Sequence, residues 1–152
     1  MLMKFYEYLV DDAKRDGVQK ICVGAVVMSE CSNKVLVIKR QAGDYLGGME
    51  ELPSGGVDKG EGLYEALVRE VEEETNLDVS EVVHYLGYFD YRSSSGKHSR
   101  QFNFSVLVKD EKEVVLTEHD DFKWLTLEEA LVNINISDNV KHCLRVHDFN
   151  LS

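Results

Sequence analysis

Between residues 62 and 76 the chain reads GLYEALVREVEEETN, where Leu63, Leu67 and Val71 recur every four positions and Tyr64 and Val68 widen the stripe. That spacing predicts one amphipathic helix with a single buried face, ended by Asn76 as a left-handed cap. The segments on either side carry a different period. QKICVGAVVMSE at 19–30 and VLVIKR at 35–40 are rich in β-branched residues and joined by CSNK, the pattern of a hairpin. VSEVVHYLGYFDY at 79–91 and RQFNFSVLVK at 100–109, joined by RSSSGKHS, predict a second one. A helix with one apolar face, set between two hairpins, must lay that face on a sheet, so the fold class is a layered α/β architecture.

The remaining segments fill in that frame. QAGDYLGGMEELPSGG at 41–56 has no helical period and predicts a long loop with a short strand near 50–52. In FKWLTLEEALVN, Thr126 and Glu129 stand at the spacing of a capping box and predict a short helix. Val140, Cys143, Leu144 and His147 predict a final helix begun by Ser137 or Asp138. Residues 1–17 form an N-terminal extension, helical by pattern, packed on the sandwich or on a partner chain, and residues 18–152 form a single domain.

Charge narrows the function. A formal net charge of −11 repels a polyphosphate backbone, so no nucleic acid polymer is expected as partner; small anionic substrates remain if a metal cation screens them. Cys22, Cys31 and Cys143 show no C-x-x-C pairing, which suits reduced thiols and a cytoplasmic location. Charges at Lys4, Glu7 and Asp11 interrupt any signal-peptide core, and no apolar run reaches the roughly 18 residues of a membrane span, so no membrane partner is expected. His84, His98, His119, His142 and His147 have no metal-ligand spacing and are assigned surface or packing roles.

On the helix, Glu70, Glu73 and Glu74 share one side, while Glu72 falls with Glu65 and is solvated. Like charges so spaced weaken a helix by a few tenths of a kcal/mol per pair, so structure alone gives no reason to stack them. A glutamate run by itself is ordinarily a solvated face. Immediately after a glycine cluster, it suits a hard divalent cation, because Mg²⁺ and Mn²⁺ prefer oxygen donors and bridge carboxylates to phosphates. Arg69, four residues before Glu73, would hold that side chain in place.

From Gly55, five residues lead to Glu61, seven more to Arg69-Glu70, and then follow Val71, Glu72, Glu73, Glu74, Thr75, Asn76 and Leu77. This resembles the Nudix box of Nudix hydrolases, G-x5-E-x7-R-E-U-x-E-E-x-G-U with U a bulky apolar residue. Asn76 replaces the last glycine, and asparagine is the next-best left-handed cap. The resemblance extends over roughly residues 18–149 and implies an α/β/α sandwich with a mixed sheet flanked by helices. It also implies Mg²⁺- or Mn²⁺-dependent cleavage of a nucleoside diphosphate linked to X, to nucleoside monophosphate and phospho-X. By the same likeness Glu70, Glu73 and Glu74 are metal ligands, with the Ser54 carbonyl beside them in Pro53-Ser54-Gly55-Gly56, where many relatives have Pro-Gly-Gly.

Glu118 stands six residues before Trp124, as an acidic metal ligand or base does in MutT-type relatives, and Glu70 is the competing base. The catalytic set implied is therefore Glu70, Glu73, Glu118 and Arg69. Arg40, Glu51 and Asn139 resemble substrate-contacting positions. Some of Tyr88, Phe89 and Tyr91 would stack on a base, while Phe102 and Phe104 belong to the core. The resemblance points first to a MutT-like (deoxy)nucleoside triphosphate pyrophosphohydrolase acting on a nucleotide such as an oxidised purine dNTP. An ADP-sugar or dinucleoside polyphosphate hydrolase is the near alternative, and a nucleotide-sensing module without turnover the alternative of another class. Family members are often homodimers.

Overall fold

The run CVGAVV lies in the middle of strand β1 (Lys20–Ser29), and residues 22–27 are all buried. A strand buried on both faces needs a layer on each side. The computed structural model, which describes residues 2–109 and 112–151, supplies both. Met1, Asp110, Glu111 and Ser152 lie outside the described residues.

After helix α1 (Leu2–Arg15) and β1 come β2 (Val35–Arg40), β3 (Glu50–Glu51), β4 (Ser54–Gly56) and helix α2 (Leu63–Thr75). Then follow β5 (Val79–Arg92), β6 (His98–Val108), β7 (His119–Leu125), α3 (Leu127–Val132) and α4 (Asp138–Leu151). Among the described residues, the mixed seven-stranded sheet runs β3-β2-β1-β6-β5, with β4 paired to β1 and β7 to β2. β5 and β6 are antiparallel, whereas β1 and β6 run parallel from Lys20↔Ser99 to Ser29↔Val108.

Period two along the strands sorts the core. Val23, Ala25 and Val27 of β1, with Phe102, Phe104 and Val106 of β6, face α1 and α2. Val26 of β1 with Val35 and Val37 of β2 face the other way, onto Ala130 of α3 and Val140 and Leu144 of α4. Ser99, Gln101, Asn103 and Ser105 of β6 are polar and buried, and Gln101 donates to Asn103 at 2.8 Å. A Cβ at Gly24 would collide with both of those side chains.

α1 is part of the first core layer through Tyr6, Leu9 and Ala13. It is also pinned by Arg100, whose buried guanidinium lies 3.0 Å from Asp16, 2.7 Å from Asp90 and 4.1 Å from the Tyr88 ring centroid.

Three details differ from the sequence reading. Tyr64 is 42% exposed, and Ala66 takes its place on the buried stripe of α2. Ser54–Gly56 is a strand although serine and glycine have little strand preference, because β1 offers it an edge: Cys22↔Gly56, Val23↔Gly55, Gly24↔Ser54. The segment around FKWL, read only as the approach to a helix, is strand β7.

Candidate active site

β4 and α2 meet at the glycines. A Cβ at Gly55 would collide with the Glu70 carboxylate, so glycine is what allows the helix and its acids to press against this strand. Ser54 N–H donates to Glu74 Oε1 at 2.7 Å. Glu74 is 9% exposed, and burial, reinforced by the charges of Glu70 and Glu51, pushes its carboxyl up to about 8 against the Ser54 hydrogen bond. Burial also raises Glu70, against the pull of Arg69. Glu73 differs, its side chain being 59% exposed. Glu72 is exposed, as the helical spacing foretold.

Arg69 ties these acids to the loop. Its Nε and Nη2 donate to the Glu61 carboxylate at 2.7 and 2.8 Å, its Nη1 to Glu70 at 2.8 Å and Glu73 at 3.1 Å, and its Nη2 also to the Gly56 carbonyl at 2.9 Å. The Glu61 hydrogen bonds raise Arg69 above its ordinary value, and Arg69 in turn holds Glu61 below the usual carboxylate range. Arg69 thus braces Glu61 and Glu70 more closely than the Glu73 contact foreseen from spacing.

The opposite wall comes from β2, β3 and β7. Arg40 donates to the Tyr45 carbonyl at 2.7 Å, to Asp44 at 3.0 Å and to Glu51 at 3.1 Å. His119, whose side chain is 7% exposed, sits 2.9 Å by Nε2 from Glu51 and 3.5 Å by Nδ1 from Glu74. Burial works to lower its pKa, but the Glu51 hydrogen bond and the Glu74 charge prevail and raise it. Sequence reasoning set His119 aside for want of ligand spacing. Its partners are 68 and 45 positions away, and only the β2–β7 register, Arg40↔His119, brings it into place.

Two cavities adjoin. One of about 230 Å³ is lined by the acids Asp44, Glu51, Glu74 and Glu118 with Ser54 and Gly55. The other, about 480 Å³, is lined by Tyr45, Leu46, Met49, Phe89 and Tyr91, with Asn139 on its wall. They share Lys20, Arg40, Glu51, Ser54, Tyr91 and Gln101. Glu118 is exposed, as is Asn139 at the start of α4. Phe102 and Phe104 are 1% exposed and belong to the core. A third cavity of about 540 Å³, lined by Lys34, Leu77, Phe122 and Trp124 among others, contains none of these carboxylates.

Among the described residues, no three His, Cys, Asp or Glu side chains converge at metal-ligand spacing. The chemistry of the donors nevertheless suits a hard divalent cation: Glu70 and Glu74 lie one helical turn apart, both drawn out of water where burial disfavours their charge, beside a backbone strand.

The family model described as NUDIX domain matches residues 18–144. The chain belongs to the NUDIX family. A similar curated NUDIX relative is the RNA pyrophosphohydrolase of Pelagibacter ubique (strain HTCC1062), 33% identical over 78% of this chain and 79% of its own length. An 8-oxo-dGTP diphosphatase of Proteus vulgaris is 32% identical over 41% of this chain and 56% of its own length. Among solved structures, the MutT protein of Methanosarcina mazei Go1 superposes with a TM-score of 0.74 at 24% identity, covering 88% of this chain and 96% of that one, a likeness of fold. The chain is accordingly a NUDIX pyrophosphohydrolase, a hydrolase of phosphorus-containing anhydrides.

Proposed function

We propose that this NUDIX hydrolase cleaves a (deoxy)nucleoside triphosphate, an oxidised purine nucleotide such as 8-oxo-dGTP, to nucleoside monophosphate and pyrophosphate in the cytoplasm with Mg²⁺ or Mn²⁺. The observation that carries this reading is the continuity of the acidic cavity, floored by Ser54–Gly56, with the larger aromatic cavity of Tyr45, Phe89 and Tyr91. One suits a screened pyrophosphate and the other a base. The partial likeness to an 8-oxo-dGTP diphosphatase supports the choice of substrate.

Glu70, Glu73, Glu74 and Glu118, with the Ser54 carbonyl, are the groups that would hold the ion. When bound, it supplies positive charge to the pyrophosphate and acidifies the attacking water. Arg69 fixes Glu70 and Glu73 against β4. Glu118, exposed on the rim, is open to accept the proton of the water, with Glu70 as the competing base. Arg40 and Glu51, paired with each other, form the β2–β3 wall against which the substrate lies, and Asn139 reads the base edge from α4.

The likeness to an RNA pyrophosphohydrolase favours a second reading, removal of pyrophosphate from the 5′ end of RNA. The charge of −11 weighs against it, because a polymer would bring further phosphates to an acidic surface.

The test is release of nucleoside monophosphate or its equivalent from 8-oxo-dGTP, the ordinary dNTPs, ADP-ribose, diadenosine polyphosphates and 5′-triphosphorylated RNA, with Mg²⁺ or Mn²⁺ and with chelator. Chelator-sensitive turnover greatest on 8-oxo-dGTP is expected. Turnover confined to another member of the panel would move the substrate there. Nucleotide binding by folded protein without any turnover would leave a sensing module.

A further inference from the structure

Resting on the reading just given, we infer that Lys20 is the cation that binds the phosphate attached to the nucleoside, at the junction between the two cavities. Lys20 opens β1, is exposed, and lines both cavities. Its stem lies along the glycine strand, because a Cβ at Gly56 would stand 3.5 Å from Lys20 Cε. Among the described residues its ammonium has neither an ion pair nor a side-chain hydrogen bond.

The other potential hydrogen-bond donors at the junction already have partners within the protein. Arg40 is spent on Tyr45, Asp44 and Glu51. The Gln101 amide donates to Asn103, and the Ser54 N–H to Glu74. The Tyr91 hydroxyl lies 3.3 Å from the Cys22 thiol. Arg92, which lines the aromatic cavity alone, donates to the Gly96 carbonyl at 3.2 Å.

Charge then locates the ligand. A nucleotide with its base among Tyr45, Phe89 and Tyr91 and its scissile anhydride against the acids must thread its chain past the junction. The phosphate that occupies the junction is the one bonded to the ribose, and it enters a cavity that carries Asp44, Glu51, Glu74 and Glu118. An unpaired ammonium there offsets those acids, and its three rotatable donors suit a tetrahedral oxyanion without demanding a planar fork. The same lysine would retain the nucleoside monophosphate after cleavage and leave the departing pyrophosphate untouched.

Lys20→Met and Lys20→Arg test this by calorimetric titration with 8-oxo-dGMP, dGMP and inorganic pyrophosphate, and by steady-state turnover of the best nucleotide of the panel. Lys20→Met is expected to weaken monophosphate binding and raise KM by about tenfold, the loss of one charge-assisted hydrogen bond, with kcat changed far less. Pyrophosphate binding should stay as it was, Lys20→Arg should recover most of the affinity, and unchanged thermal unfolding should show the fold intact. Monophosphate affinity unaffected by Lys20→Met, or lost equally with that for pyrophosphate, overturns the inference. If the unsubstituted protein binds monophosphate through Lys20 yet turns nothing over, the inference stands and the hydrolase reading falls.

Discussion

Glu74 meets two opposed demands. Its carboxylate is turned into the protein between the Ser54 N–H and His119, where burial disfavours its charge. A metal-binding role needs that charge, and folding alone does not. Glutamine in its place keeps an acceptor for the Ser54 N–H and removes the buried charge. Glu74→Gln is therefore expected to lower metal-dependent turnover by about a hundredfold or more while the metal-free unfolding temperature holds or rises. The upward shift of that temperature produced by Mg²⁺ or Mn²⁺ should vanish with it. A drop of several degrees in the metal-free variant would instead mark Glu74 as a structural residue. The charge on this residue was legible from spacing, since Glu70 and Glu74 share a helical face. Its depth was not, because burial depends on β4 and His119, brought in from segments 20 and 45 positions away.

At the scale of elements, legibility follows how local each signal is. The apolar period of α2 and the capping box of α3 are short-range patterns, and both structures form as read: Thr126 accepts from the Glu129 N–H, and Glu129 from the Thr126 N–H. β4 and β7 carry no such pattern. β4 is a strand because β1 has an edge to fill, and β7, at the margin of the sheet against β2, exposes Asp120, Asp121, Phe122 and Lys123, so no alternation marks it. The segment around FKWL consequently reads only as the approach to a helix, and nothing in its pattern singles out His119. The end of α2 offers a clean check. Asn76 sits at φ 67° with its N–H on the Glu72 carbonyl, and its side chain reaches the Glu113 carbonyl at 3.2 Å. Asn76→Ala is expected to cost about 1 kcal/mol, since alanine resists the left-handed region more than asparagine does. Asn76→Gly should change stability little, because the relaxed backbone offsets the lost side-chain bond. Urea unfolding midpoints at constant m-value measure both; equal losses would mean that the Glu113 contact and not the backbone decides.

At the scale of the whole molecule, the sandwich is closed on one side by α1 and α2 and on the other by α3 and α4, and these closures respond differently to acid. α1 is held by Arg100, whose hydrogen bonds keep Asp90 below the usual aspartate range, so that pairing persists above pH ~4 and is lost only as pH falls through the lowered value. α4 is seated through His147, 1% exposed, with its Nδ1 unpartnered among the described residues. Burial lowers the pKa of His147, His84 adds to the effect, and Asp148 opposes it. As pH falls through the unfolded value of about 6.5, the unfolded chain takes up this proton first, so stability present above that pH is lost between it and the lower folded value. His119 has the opposite sign and acts above pH ~6.5, so the two windows do not overlap. His147→Leu keeps an apolar filling and removes the titration. The unfolding free energy of the unsubstituted protein should therefore fall relative to this variant as pH drops from about 7.5 to 5.5, by no more than about 1.4 kcal/mol per pH unit. A difference between the two proteins that stays flat over that range would mean that His147 keeps its ordinary proton affinity in the fold, and that acid loosens the α4 side through some other group.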